Sequence, residues 1–128
     1  MPLKRRRAKS RSTSDITFYL GPSRIHGIGV FATHRIAPGT YLRLFSPTEV
    51  AVLRRPSVHT RDFIQQYGVA EGNGRFWTAP DFGRMSVGWY LNHSRRPNAY
   101  RYRYRYYSSR WIDAHHEITI DYRTLDPR

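Results

Sequence analysis

From residue 15 onward the chain is built from short apolar runs separated at close intervals by glycine, proline and serine. Runs this short cannot form long amphipathic helices. A bilayer span needs about 20 consecutive apolar residues, whereas a strand needs only about four to eight. The punctuation therefore predicts a mostly β fold assembled from several small sheets. Ile16 to Leu20, Val30 to Thr33 and Tyr41 to Phe45 are rich in aromatic and β-branched residues and read as the first three strands. Gly21-Pro22-Ser23 and Ala37-Pro38-Gly39-Thr40 are turn sequences, because proline fixes φ and glycine frees it. Residues 46–68 depart from this pattern. Ser46-Pro47-Thr48-Glu49 has the spacing of a capping box with Pro at the first helical position, and a second helical stretch starts at Thr60 and closes at Gly68. Two short helices are expected there. Glu71-Gly72-Asn73-Gly74 reads as a turn, Arg75 to Thr78 as a strand, and the C-terminal part as extended segments.

At 128 residues the chain has the length of one domain, burying roughly two-thirds of its unfolded surface. The absence of cysteine excludes disulfides, thiolate zinc sites, iron–sulfur clusters and thiol nucleophiles, and it fits an intracellular setting, cytoplasmic or nucleoid/nuclear. Neither a bilayer span nor the apolar stretch of a secretory signal is present, so no membrane association is expected.

The net charge of +13 is unevenly distributed. Lys4, Arg5, Arg6, Arg7, Lys9 and Arg11 place six cations and no acid in residues 1–14, leaving +7 on residues 15–128. The division expected is a basic, disordered arm over 1–14 followed by one folded domain over 15–128. Residues 4–11 read either as an electrostatic contact for nucleic acid or as a solvated tail. The run Tyr100-Arg101-Tyr102-Arg103-Tyr104-Arg105-Tyr106 alternates with period two. Interleaved Arg and Tyr suit stacking and charge contacts to single-stranded nucleic acid. A single pleated strand, however, puts the two types on opposite faces, so the expectation is tyrosines packed on the sheet and arginines in solvent.

Familiar catalytic constellations are weak. His93 and Ser94 are adjacent and diverge in a strand, which disfavours a nucleophile and base pair. His115-His116 near Glu117 and Asp121 lack a third ligand at metal spacing. Gly27-Ile28-Gly29 has neither the third glycine nor the helix of a dinucleotide fingerprint.

Their order is more informative. Ser23-Arg24-Ile25-His26-Gly27-Ile28-Gly29-Val30-Phe31-Ala32, Ile36-Ala37-Pro38-Gly39, Asn92-His93-Ser94-Arg95-Arg96-Pro97-Asn98 and Glu117-Ile118-Thr119-Ile120-Asp121-Tyr122 follow one another along the chain. Together they resemble the SET domain of protein lysine methyltransferases, from about Ile16 to Tyr122. The resemblance implies a β-clip-like fold of short antiparallel sheets whose C-terminal segment threads into a knot-like core. It implies S-adenosylmethionine as cofactor, with Gly27, Ile28 and Gly29 holding its methionine moiety, Asn92 and His93 contacting it, and Tyr122 both contacting it and serving as the catalytic tyrosine. The implied reaction moves a methyl group to the ε-amine of a protein lysine. That amine, with a pKa of about 10.4, costs about 4 to 5 kcal/mol to present unprotonated at pH 7. Desolvation and like charge reduce the cost.

Two departures from the family pattern stand out. Phe45-Ser46-Pro47-Thr48 replaces the family's Tyr-x-Gly-Glu and removes a channel hydroxyl, and Tyr122 is followed only by residues 123–128, with no cysteine-rich zinc module. Either a homodimer partner or the substrate would then complete the channel. The positive charge disfavours free basic tails and suits a lysine-containing substrate within a nucleoprotein, chromatin-like or ribosomal. The alternative is a catalytically weak SET-fold module that binds nucleic acid or a nucleoprotein.

Overall fold

The runs read as strands at 16–20, 30–33, 41–45 and 75–78 each contain residues of a paired strand. The computed structural model describes residues 16–125, so the basic arm and its nucleic-acid reading lie outside the described residues. The strands are β1 (Phe18–Pro22), β2 (Ile28–Ala32), β3 (Tyr41–Leu42), β4 (Val52–Arg54), β5 (Val69–Gly72), β6 (Arg75–Thr78), β7 (Asn92–His93), β8 (Ala99–Tyr102), β9 (Arg105–Ser108) and β10 (Glu117–Ile120), with one helix, α1 (Arg61–Tyr67), between β4 and β5. They form a four-stranded sheet in the order β1-β2-β10-β7 and two three-stranded sheets, β3-β9-β8 and β4-β6-β5.

β10 positions the site. It runs antiparallel to β2, with Ile118 opposite Val30, and parallel to β7, with Thr119 opposite Asn92 and Ile120 opposite His93. Asn98 also holds it: the carboxamide accepts from Thr119 N at 2.8 Å and donates to Glu117 O at 2.8 Å. Side-chain amides thus extend the ladder where no strand lies. Ile118 and Ile120 enter the main core with Val30, Ala32, Ile36, Leu42, Leu44, Leu91, Ala99 and Ile112. Tying residues 92–98 to residues 117–120 fixes two distant motifs against each other.

Of the two expected helices only the second forms. Its N-cap is Thr60 and its C-cap Gly68, whose N–H bonds Ile64 O at 2.8 Å. The Ser46–Glu49 box makes one turn instead, because both of its partners are claimed elsewhere. Ser46 N donates to Ser86 Oγ at 2.9 Å, and the Glu49 carboxylate accepts from Ser86 N at 3.0 Å, Ser86 Oγ at 2.7 Å and Trp89 Nε1. A capping box needs that carboxylate turned back on its own N-cap.

The Tyr/Arg run is also corrected. It is a hairpin, with Arg103 (φ 51°) and Tyr104 (φ 70°) at the tip in the left-handed region and Arg101 opposite Tyr106. The two types therefore mix on each face. Tyr106 turns inward against Phe45, ring centroids 5.6 Å apart, and burial, partly offset by Arg101, raises its phenol above the ordinary tyrosine value. The unfolded chain, with its lower phenol pKa, then binds fewer protons than the folded chain at high pH. This part of the stability is complete below pH of about 10 and falls as pH rises through the folded value. Tyr106→Phe is expected to lose less of its thermal midpoint than wild type between pH 9 and pH 11, measured by circular dichroism.

Candidate active site

The turn leading into β2 meets β7 and the C-terminal end of β10. Ser23 N donates to Gly27 O at 2.8 Å, closing a loop in which Gly27 takes φ +47°, a left-handed value that costs glycine little. Asn92, buried at the start of β7, reaches across: its Nδ2 donates to His26 O at 3.0 Å, Ile28 O at 3.2 Å and Glu117 Oε2 at 2.8 Å. Ser23 Oγ donates to both Glu117 oxygens, at 2.8 and 2.9 Å, and accepts from Ile25 N at 2.9 Å. Glu117 is thus the hub that locks the glycine turn to β7 and β10. Gly29 leaves the space for it, since a Cβ there would lie 2.8 Å from Glu117 Cδ. The missing side chain of Gly29 makes room for that carboxylate and for Ser23, whose Cβ would lie 3.1 Å from the added one.

Tyr122 follows β10 in a single turn of 3-10 helix, Tyr122–Leu125. Its hydroxyl donates to Leu91 O at 2.5 Å, its N–H donates to His93 Nδ1 at 3.0 Å, and its ring lies 5.2 Å from the His93 ring. Burial first, and the negative charge of Glu117 second, raise the Tyr122 phenol above the usual value, so it is neutral at pH 7. Neighbouring Asp121 is held by Arg123, whose guanidinium hydrogen bonds keep the carboxyl well below the ordinary range.

These groups open onto one cavity of about 540 Å³, lined by Ile25, His26 and Ile28 from the glycine turn, Asp62, Gln65, Gln66 and Tyr67 from α1, Trp89 to His93, and Tyr122. Ile28, Asn92, His93 and Tyr122, four of the six residues singled out from sequence, meet here, while Gly27 and Gly29 shape the turn behind Ile28. Glu117 and Ser23 were missed as a pair. Their separation of 94 residues leaves no local signal. Trp89 and Tyr90 were missed too, because the Val87–Tyr90 3-10 turn that aims them has no sequence periodicity. Phe45, which stands where the family pattern has a tyrosine, packs edge-on against Trp89 at 5.6 Å and fills the space above Gly88.

The SET-domain family model matches residues 27–123. The chain belongs to the SET-domain family, whose members are generally protein lysine methyltransferases. Among solved structures, a crystal structure of a proposed histone methyltransferase from Plasmodium falciparum is similar in fold. It has a TM-score of 0.54 and 22% identity over 84% of this chain and 94% of that one. No curated protein matches the chain. Among the described residues no helix is long and apolar enough to cross a membrane.

Proposed function

We propose that the chain is an S-adenosylmethionine-dependent methyltransferase acting on the ε-amine of a protein lysine. The observation that carries this reading is the convergence of Ile28, Asn92, His93 and Tyr122 on one cavity within a SET-family chain. The residues fit the cofactor: about 540 Å³ lies within the roughly 300–1,000 Å³ of small-molecule sites, and the wall combines apolar and aromatic side chains with polar ones, among them Asp62, whose carboxylate suits a sulfonium cation. Bound there, S-adenosylmethionine supplies an electrophilic methyl group on a sulfonium.

The protein's own part is positional. Asn92 spends its amide N–H groups on the 26–28 turn and Glu117, and so acts as a positioning residue that holds the turn's shape. Tyr122 commits its proton to Leu91 O, which leaves the lone pairs of Oη as acceptors for the N–H of an entering amine. An amine held through its N–H directs its own lone pair elsewhere, and this orientation is what bound reactants contribute to rate. The raised phenol pKa keeps that proton in place through neutral pH. Lysine must arrive unprotonated, so the rate of transfer rises with pH below the ordinary lysine value of about 10.4. The substrate class in keeping with the chain's charge is a lysine within a nucleoprotein, chromatin-like or ribosomal, with residues 4–11 as a nucleic-acid contact.

Ile28 supplies the test. It is exposed on the cavity wall, and arginine there would occupy the space and oppose a sulfonium with like charge. Calorimetric titration of S-adenosylmethionine is expected to show one site in wild type and affinity at least about tenfold weaker in Ile28→Arg, a difference of about 1.4 kcal/mol. Equal binding by both, or no heat from wild type, would refute the reading.

A further inference from the structure

The hairpin undoes the separation of tyrosine from arginine that a single alternating strand imposes. A two-residue tip between β8 and β9 sets Tyr100 opposite Tyr107 and Tyr102 opposite Arg105, and directly opposed residues share a face. β3 adds Tyr41 opposite Tyr107. Arg43, two residues along from Tyr41, emerges on the same side, while Leu42 and Leu44 point into the core. The outer face of the β3-β9-β8 sheet therefore carries four tyrosines, Tyr41, Tyr100, Tyr102 and Tyr107, with Arg43 and Arg105.

The rings are laid out as a row. Tyr41 and Tyr107 have centroids 5.7 Å apart, and Tyr107 and Tyr100 are stacked at 5.8 Å. The Arg43 and Arg105 guanidiniums lie 5.0 and 5.6 Å from the Tyr41 ring, and that of Arg103 lies 5.2 Å from Tyr102. Tyr41, Tyr100 and Tyr102 are 40%, 44% and 56% exposed, a large aromatic area to leave in water. Residues 35–48 and 95–112 contain no Asp or Glu, so the field around the row is positive. None of these residues lines the cofactor cavity.

We propose that this face is a stacking platform for single-stranded nucleic acid: successive bases lie on the tyrosine row and phosphates pair with Arg43, Arg103 and Arg105. Aromatic rings at strand spacing, with guanidiniums lying over two of them, suit an unpaired strand, since each base offers a π-face that stacks on a ring or a guanidinium and each linkage carries one negative charge. A duplex keeps its bases stacked on one another and cannot use the row. The surface lies outside the methyltransferase cavity and stands whether or not that site is active.

Fluorescence anisotropy of a labelled oligouridylate against the full chain tests this, with a duplex of equal length alongside. The single strand is expected to bind more tightly than the duplex at the same salt. Tyr100→Ala and Tyr107→Ala are each expected to weaken it by about 5- to 100-fold without changing the salt dependence, and Tyr100→Phe is expected to bind as wild type, because stacking needs the ring and not the hydroxyl. Arg43→Gln and Arg105→Gln should each lower the slope of log affinity against log salt by about 0.7. Tyr100 is exposed, so its variant carries the test if Tyr107→Ala fails to fold. Titration of S-adenosylmethionine into Tyr100→Ala is expected to match wild type, which keeps this outcome distinct from failure of the cofactor site. Duplex binding as tight as single-strand binding would overturn the proposal. Unchanged binding by Tyr100→Ala, with all affinity lost when the six cations of residues 4–11 become glutamine, would assign nucleic-acid contact to the arm and overturn it equally.

Discussion

Tyr122→Phe is expected to lower kcat for methyl transfer by about 100-fold or more, the scale on which one preorganised polar contact to a reacting group acts. Binding of S-adenosylmethionine should change by no more than about threefold, because phenylalanine keeps the ring against His93. The split follows from the geometry. The Tyr122 hydroxyl is anchored on Leu91 O at 2.5 Å, and substitution removes that hydroxyl, its hydrogen bond and its lone pairs while keeping the ring. Initial-rate measurements together with calorimetry read the two quantities separately. Parallel loss of both would mean that Tyr122 supports the cavity wall without touching the reaction.

The second large effect is on folding. Asn92→Ala removes the donor shared by two backbone carbonyls and the Glu117 carboxylate. Losing a hydrogen bond to a charged, part-buried group costs about 1.5 to 3 kcal/mol, and the carbonyls add to it. A loss of about 3 kcal/mol, or about 10 °C in thermal midpoint for a domain of this size, is expected in denaturation measurements. Glu117→Gln alone should cost less, because a carboxamide oxygen still accepts from Ser23 and Asn92. The Asn92→Ala/Glu117→Gln double variant should fall short of the sum of the two single losses by about 0.5 to 3 kcal/mol, since both disable one network. Additive losses would show the two residues to be energetically independent.

The strands β1, β2, β3 and β6, and four of the residues that the cavity brings together, were legible in the sequence, for reasons that can be traced to particular residues, whereas β4 and β5 were not. β6 and the turn before it were readable because Asn73 (φ 56°) and Gly74 (φ 74°) are residues that tolerate left-handed backbone, between segments of strong β propensity. α1 was readable from Thr60 and Gly68. The failed helix at Ser46–Glu49 had an equally good local signal, and it lost to partners 37 to 40 residues away on Ser86 and Trp89. Local patterns are blind to competition of that range. The hairpin at 100–107 failed differently: neither Arg103 nor Tyr104 is a usual left-handed residue, so the alternation hid its own turn. At the site, motif order brought forward Ile28, Asn92, His93 and Tyr122. The parallel pairing of β7 with β10 that assembles them, and the Ser23–Glu117 lock, depend on tertiary contacts with no local signature. Phe45 looked like a loss when read as a missing hydroxyl. In the fold it is a packing residue against Trp89 and Tyr106, and the cavity is bounded by the Trp89 that it supports.

The proposed role of this cavity is to move a methyl group to lysine. The most direct measurement incubates the full chain with methyl-labelled S-adenosylmethionine and a ribonucleoprotein or chromatin extract, hydrolyses the protein, and identifies the labelled amino acid. Label on methyl-lysine is expected, dependent on Tyr122 and, at limiting cofactor, lowered about tenfold or more by Ile28→Arg. Label on no amino acid, or on a residue other than lysine, would contradict it.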